Sequence, residues 1–522
     1  MTVTATRDAS MWQRGSFEPE RRAVVEPDGK VFTYGDLQQR INQWSNAILE
    51  VGVPPGARVA LASPNCFEWL AVVGACLQIG VRCVPVNFHL TGEEIAYIVS
   101  DSAAAMLIVH QELAEVGSHV AEVSGLSGNA LVAIGEMDGY SAHEELLAAQ
   151  SKDRPHRLMP GEKMYYTSGT TGRPKGVLRP MPTADDVDTA AVAAAKKLFA
   201  DTGRFPDGSG AVLVPGPLYH GAPLGSAVGA LHLGQTVVLM GKWTPEGFLD
   251  SVSRYRVTST TMVPTMFERL LKLPEDVRKS YDVSSLQSVT HAGAPCAPGT
   301  KRAMIEWLGP ILNEYYAASE GGGTRVTSEE WLQRPGTVGR PTTTGGIRIL
   351  DDEGTVLPPN EPGRVFMKLN RPFEYLGDKD KTASAISDGY FTVGDIGYVD
   401  DDGYLFLCDR SADTIISGGV NIYPAEIEAA LSSHPLVHDV AVIGVPNAEW
   451  GEEVKAVVQL RDGIAGDEQV GQELIDYVRD RVARFKVPRS IDFVEALPRA
   501  ENGKLYKRRI RDGYWQNRDR SI

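Results

Sequence analysis

The chain has 522 residues and a formal net charge of −15, with 43% hydrophobic and 23% charged residues. At about 150 residues per domain this length corresponds to roughly three domain-sized units, enough to bury large cores without a metal or disulfide staple. The ordinary hydrophobic share argues against global disorder, the acidic balance against a nonspecific nucleic-acid surface, and the lack of any run of about 18 apolar residues against a conventional membrane-spanning helix. The N-terminal stretch carries no apolar segment of signal-peptide type, so a cytoplasmic location is expected. Cys66, Cys76, Cys83, Cys296 and Cys408 show no metal-site spacing, and three of them lie in apolar stretches and read as small core residues.

Taken in chain order, residues 36–44 start an amphipathic helix and residues 58–62 form a short apolar strand. Residues 69–79 read as a mostly apolar helix, and residues 83–86 and 105–109 as further strands. Strand, helix and strand in this rhythm predict βαβ units on a mainly parallel sheet. The theme repeats with strands at 210–214, 236–240 and 288–290, the last followed by a Gly-Ala-Pro turn. From about Gly345 the strands become short and turn-rich, at 347–350 and 363–367, with a β-hairpin over 398–407. After Arg410 alternation returns: helix 424–432, strands 440–445 and 455–460, helix 472–485. The expected architecture is α/β: a large N-terminal compound domain of mainly parallel sheets with a small β-rich subdomain (1–410), and a C-terminal α+β module of about 110 residues (411–522).

The densest chemical signal is Tyr166-Thr167-Ser168-Gly169-Thr170-Thr171-Gly172-Arg173-Pro174-Lys175-Gly176. Its glycines let the backbone turn tightly and expose N–H groups, its hydroxyls add donors, and Lys175 adds positive charge. Such a loop can cradle a polyphosphate, although it lacks the Walker A spacing. In Asn313-Glu314-Tyr315-Tyr316-Ala317-Ala318-Ser319-Glu320 an aromatic ring, a hydroxyl and a carboxylate fall within five residues, a set able to stack a base, bond a phosphate and hold Mg²⁺; taken alone, a Tyr pair beside Ala-Ala is more often a core-packing pattern. The segment 388–395 ends in Gly394-Asp395, whose carboxylate can accept ribose hydroxyls or simply cap a turn. In the segment 415–424 the pair Gly418-Gly419 permits close approach of a ligand, and Pro424 opens a helix. Near the C-terminus, Pro498-Arg499-Ala500-Glu501-Asn502-Gly503-Lys504 presents one lysine on a turn.

The order of these segments resembles the adenylate-forming enzymes, a superfamily that includes acyl-CoA synthetases, firefly luciferase and peptide-synthetase adenylation domains. The resemblance runs from about Phe32 to Arg508, and the segment 416–424 is most similar to the fatty-acyl and related acyl-CoA synthetases. It implies activation of a carboxylic acid by MgATP to an acyl-adenylate, then thioester formation with coenzyme A and release of AMP and pyrophosphate.

The resemblance also implies roles for individual residues. Thr167, Ser168, Gly169, Thr170, Thr171, Gly172 and Lys175 would wrap the phosphates. Tyr316 would stack on adenine with Gly293, Ala294 and Pro295 opposite, and Ser319 would stand where threonine is usual, at the α-phosphate. Glu320 would ligate Mg²⁺, and Asp395 with Arg410 would hold the ribose. Residues 411–522 would form a small mobile lid joined by a hinge, from which Lys504 would reach the α-phosphate and carboxylate oxygens, and Ser417, Gly418 and Gly419 would admit the pantetheine thiol.

Besides Ser319, three positions depart from the family pattern: Ala412 at the hinge in Arg410-Ser411-Ala412-Asp413, Val393 before Gly394-Asp395, and Ala317 in place of glycine. The resemblance places the mouth of the acyl pocket at His220, with Gly221, Ala292 and Ala317 further pocket residues, and the stretches around them are small and apolar with no fixed charge to pair an amino group. That favours an apolar acid: fatty, steroid or bile-type, or aryl. A stand-alone ligase that loads a carrier protein would share nearly all these motifs, and segment 416–424 favours coenzyme A over it. A noncatalytic nucleotide-binding relative would be expected to have lost Glu320 or Lys504, and both are present. The basic tail at Lys507, Arg508, Arg509 and Arg511 could meet coenzyme A or a membrane surface, and a solvated terminal helix is the favoured reading. A homodimer is compatible with the sequence.

Overall fold

A computed structural model describes residues 9–167, 174–200, 208–343, 346–410, 413–417, 420–447, 450–482, 484–499 and 505–515. The chain is α/β, with a large N-terminal part of mainly parallel sheets and a small C-terminal domain. It divides into two compact units. The first takes the residues up to Met262 together with Lys272–Thr290 and Arg371–Ser384; the second takes Val263–Leu271, His291–Asn370 and Ala385–Ile522.

In the first unit, one six-stranded sheet runs in the order Ser141–Ala142, Leu131–Ile134, Met106–His110, Arg58–Ala62, Arg82–Val86, Glu162–Lys163, every neighbouring pair parallel. Val59, Ala60, Leu61 and Ala62 are all fully buried, as a parallel strand covered on both faces requires. Another sheet carries Ser259–Met262, Ala211–Val214, Thr236–Leu239 and Arg22–Val25 in parallel, with Val31–Thr33 antiparallel at the edge. Helix Tyr34–Glu50 starts at a capping box in which the Thr33 hydroxyl and the Asp36 carboxylate each accept the other's backbone N–H. It packs on helix Phe67–Gln78 through a core that includes Leu37, Ile41, Trp44 and Trp69.

In the second unit, strands Leu312–Ala318 and Gly321–Val326 form an antiparallel hairpin, with Arg340–Pro341 added beside Gly321–Val326. Strands Gly363–Lys368, Asp395–Val399 and Leu405–Arg410 belong to a separate, antiparallel sheet. The C-terminal part has its own sheet: Val437–Asn447 and Gly451–Leu460 antiparallel, Ser490–Phe493 parallel to the latter, and the short strands Ile415–Ser417 and Val420–Ile422. Alternation along Val437–Asn447 splits the core. Val440 and Val442 face Ile427, Leu431, Leu474 and Val478, whereas Ala441 and Ile443 face Leu497, Ile510 and Tyr514.

Two expectations change. The helix expected over 472–485 is Glu468–Arg479, begun by Asp467, which accepts from the Val470 N–H at 2.9 Å, and capped at Asp480. The basic tail is not merely solvated. Helix Lys507–Tyr514 packs Ile510 and Tyr514 on the core, and Lys507 pairs with Glu428 at 2.9 Å. Among the described residues no helix is long and apolar enough to cross a membrane, and all five cysteines are free.

Candidate active site

In the first unit, Tyr166–Thr167 and Lys175–Leu178 are antiparallel arms, with Thr167 opposite Lys175 and Tyr166 opposite Gly176. Ser168, Gly169, Thr170, Thr171 and Gly172, between the arms, lie outside the described residues. The base of the loop is tied on both sides: the Tyr166 hydroxyl donates to Asp101 at 2.7 Å and the Tyr97 hydroxyl to the Pro174 carbonyl at 3.2 Å. A side chain at Gly176 would bring its Cβ within 2.4 Å of Met164 Cε and 3.2 Å of the Tyr166 ring. The Lys175 ammonium lies 3.4 Å from the Asp378 carboxylate. Asp378 is held below the usual carboxylate range, chiefly by the Lys381 backbone N–H and further by Lys175. A phosphate binding at Lys175 would compete with this resident anion.

His220 directly precedes helix Gly221–His232, with an extended backbone and its ring 4.3 Å from that of Tyr219. Tyr219 meets Phe88 edge-on at 5.6 Å and His89 at 6.3 Å, so aromatic and imidazole rings cluster at this helix start. Asn65 pins the approach: its amide donates to the carbonyls of Gly216 at 3.0 Å and Met240 at 2.9 Å, and its oxygen accepts from Leu218 N–H at 2.8 Å. A Cβ on Gly221 would stand 3.6 Å from the Tyr165 ring.

In the second unit, the Tyr316 hydroxyl donates to the buried Asp395 carboxylate. Asp395 starts its strand with its backbone opposite that of Arg410, whose side chain is outside the description. Ala318 pairs with Gly321, so Ser319 and the buried Glu320 form the two-residue tip of the hairpin that carries Tyr316. Gly322 and Gly323 return the chain at φ +67° and +137°; a Cβ on Gly323 would stand 2.7 Å from the Tyr316 carbonyl oxygen. Ala317 is exposed, with its Cβ 3.2 Å from that same Gly323 position. Ala292, buried, leads into Gly293 at φ +84°, followed by Ala294 and Pro295.

In the C-terminal part, Ser417 ends its strand opposite Gly451, and the preceding Ile416 N–H donates to the buried Glu452 at 3.1 Å. Gly418, Gly419, Ala412 and Lys504 lie outside the described residues. Arg499 and Leu505 form a bridge, and the Arg499 guanidinium is fixed on Asp439 at 2.6 Å.

The model of the AMP-binding enzyme family matches residues 11–371, and that of the AMP-binding enzyme C-terminal domain matches residues 426–504. The chain belongs to the AMP-binding enzyme family. Its similarity to a feruloyl-CoA synthase of Amycolatopsis sp. is 34% identity over 505 residues, covering 94% of this chain and 97% of the relative. A long-chain-fatty-acid–CoA ligase, FadD13 of Mycobacterium tuberculosis, is 31% identical over 509 residues, covering 96% and 97%. Among solved structures, the amide bond synthetase McbA from Marinactinospora thermotolerans superposes with a TM-score of 0.83 at 28% identity, covering 97% of this chain and 99% of that one.

Sequence reading of this AMP-binding enzyme missed a buried charge network beside Tyr316. Lys301, fully buried, donates from Nζ to Glu314 Oε2 at 2.5 Å, and His291 Nε2 lies 3.5 Å from the same oxygen. A signal was present: Lys301, Met304 and Ile305 share one face of helix Pro298–Leu308, so a lysine stands on an otherwise apolar stripe. Asp378, the partner of Lys175, was also missed, because nothing local links a turn aspartate to a lysine about 200 residues earlier.

Proposed function

We propose that this chain is an ATP-dependent acid–CoA ligase that activates an apolar carboxylic acid, fatty or aryl, as its acyl-adenylate and transfers the acyl group to coenzyme A. The observation that carries the reading is the Tyr316–Asp395 hydrogen bond one hairpin tip away from Ser319 and Glu320. It ties a base-stacking ring to a ribose-binding carboxylate, next to a hydroxyl and a carboxylate suited to phosphate and Mg²⁺. The names of the relatives support coenzyme A as acceptor, and they include both an aryl and a long-chain acid.

In this reading a carboxylate oxygen of the acid attacks the α-phosphorus, the α–β phosphoanhydride bond breaks, and pyrophosphate leaves. The coenzyme A thiolate then attacks the acyl carbonyl, the bond to the adenylate oxygen breaks, and AMP leaves. The first step brings anions together, so charge screening is the main demand on the protein. Lys175 and Lys504 supply fixed positive charge, while Asp395 and Arg410 hold the ribose and Tyr316 the base. A buried carboxylate at a hairpin tip is a hard oxygen donor, and Mg²⁺ commonly binds through one or two carboxylates plus substrate phosphates, so Glu320 fits that ion. When bound, Mg²⁺ supplies charge neutralisation at the phosphates. His220 and Gly221, beside Tyr165 and Tyr219, line the entry for the acid, with Ala292 and Ala317 further acyl-pocket candidates. Residues 411–522 form the lid, turning at Arg410 to exchange Lys504 for Ser417, Gly418 and Gly419. Free cysteines agree with action in the cytoplasm.

Acid-dependent ATP–pyrophosphate exchange across fatty, aryl and steroid acids tests the first step, and comparison of coenzyme A with a phosphopantetheinylated carrier protein tests the acceptor. Exchange with at least one apolar acid and thioester formation on coenzyme A are expected. Thioester on the carrier protein alone would make the chain a carrier-loading ligase.

A further inference from the structure

We infer that Lys301 and Glu314 are positioning residues for the nucleotide: their buried ion pair fixes the register between the Gly293-Ala294-Pro295 segment and Tyr316, and with it the width of the adenine slot. The inference rests on the proposed role of Tyr316 as the adenine-stacking ring.

Each member of the network is attached to one wall of that slot. His291 is the last residue of strand Ser288–His291 and immediately precedes Ala292-Gly293-Ala294-Pro295. Lys301 lies one turn into the helix that this segment enters, Pro298–Leu308. Glu314 lies two residues before Tyr316, on the same face of strand Leu312–Ala318. The Lys301–Glu314 contact at 2.5 Å therefore joins the glycine wall to the tyrosine wall.

The network is closed off from water. Lys301 and His291 have no exposed side-chain surface and Glu314 has 9%. The Trp331 ring lies 4.9 Å from the Lys301 ammonium, and Phe267 meets His291 edge-on at 5.3 Å. Burial lowers the Lys301 pKa and raises that of Glu314, and their mutual contact opposes both shifts. Among the described residues both ring nitrogens of His291 are buried without a hydrogen-bond partner, whereas Lys301 Nζ donates to Glu314.

The same strand is tied at two further points. Ser328 exchanges hydrogen bonds with Leu312, at 3.1 and 2.7 Å, and Tyr316 bonds Asp395. An apolar contact tolerates a strand sliding past a helix, whereas a charged N–H···O bond sets one position along the strand. A buried pair is also a costly way to gain stability alone, because an apolar pair of equal volume often serves as well. That asymmetry gives the test.

The variants are Lys301→Met and the double replacement Lys301→Met/Glu314→Met, each measured for thermal midpoint, AMP dissociation constant by calorimetry, and KM for ATP and for the acid. The single variant is expected to lose both stability and AMP affinity. The double variant is expected to recover the midpoint while its AMP dissociation constant and KM for ATP stay about tenfold above wild type and its KM for the acid moves less than about twofold, the scale of a small misplacement of a binding group. Recovery of wild-type AMP affinity along with the midpoint, or an equal rise in KM for the acid, would overturn the inference. Tyr316→Ala is the control. If it binds AMP as wild type does, the adenine assignment fails instead, whatever the double variant shows.

Discussion

Asp395 accepts from Tyr316 and shares its backbone register with Arg410, the two residues proposed to hold the nucleotide with it. Hydrogen bonds to a charged acceptor are worth about 1.5–3 kcal/mol, so Asp395→Asn is expected to raise KM for ATP by about 10- to 100-fold. An unchanged KM would remove Asp395 from the nucleotide site. A second residue-scale prediction concerns Glu68, outside that site, which accepts from Trp44 Nε1 at 2.6 Å and lies 3.2 Å from Arg40. Burial pushes its carboxyl up to about 7 from the ordinary 4.5, against the opposing pull of Arg40 and the Trp44 hydrogen bond. The folded state therefore keeps a proton that the unfolded chain has released. The resulting stability is fully present below about pH 4.5 and is lost as pH rises through about 7. Glu68→Gln is expected to flatten this decline by at most about 3 kcal/mol, at 1.36 kcal/mol per pKa unit, measured by denaturant unfolding at pH 5 and pH 8. An equal decline in wild type and variant would refute it.

Elements show how much of the molecule was legible beforehand. Strands Arg58–Ala62 and Ile347–Leu350 and helix Pro424–Ser432 match their sequence readings residue for residue, because an apolar run, a short strand closed by the Asp351-Asp352-Glu353-Gly354 turn, and a proline at the first turn mark them locally. Helix Glu468–Arg479 was overextended because Val482 and Phe485 continue the apolar period. The chain instead stops at Asp480 and makes a 3₁₀ turn at Arg484–Lys486 ahead of Pro488, which disfavours helical geometry before it. The motif order nominated Tyr316 and Asp395 together, and the structure joins them by a hydrogen bond, whereas the Lys301–Glu314 contact depends on a helix and a strand meeting in three dimensions and was not legible. The hairpin that carries Tyr316, Ser319 and Glu320 depends on a glycine return. Gly323→Ala would force a Cβ to within 2.7 Å of the Tyr316 carbonyl oxygen at φ +137°. A loss of about 1–3 kcal/mol is expected, the usual scale of such strain, with a lower thermal midpoint and weaker ATP binding. A variant as stable as wild type would show that this turn does not constrain the site.

At the scale of the whole molecule, net charge and local chemistry diverge. In the proposed reading, a chain of net charge −15 would bind ATP and coenzyme A, both strongly anionic, through a few positive positions, Lys175, Arg410 and Lys504. The proposed lid assigns Lys504 to adenylation only. Lys504→Ala is expected to lower acid-dependent ATP–pyrophosphate exchange by a factor of about 10² or more, the scale of deleting one preorganised electrostatic group, yet to convert supplied acyl-adenylate to thioester at a near wild-type rate. Equal loss in both steps would sink the domain rotation. The central claim, attack of the acid on the α-phosphorus, has a more direct test. The acid that best supports exchange is supplied with both carboxylate oxygens as ¹⁸O, together with ATP, Mg²⁺ and coenzyme A, and the products are weighed by mass spectrometry. One ¹⁸O is expected in AMP, none in pyrophosphate, and one in the acyl-CoA. Label appearing in inorganic phosphate, with ADP in place of AMP, would contradict the central claim.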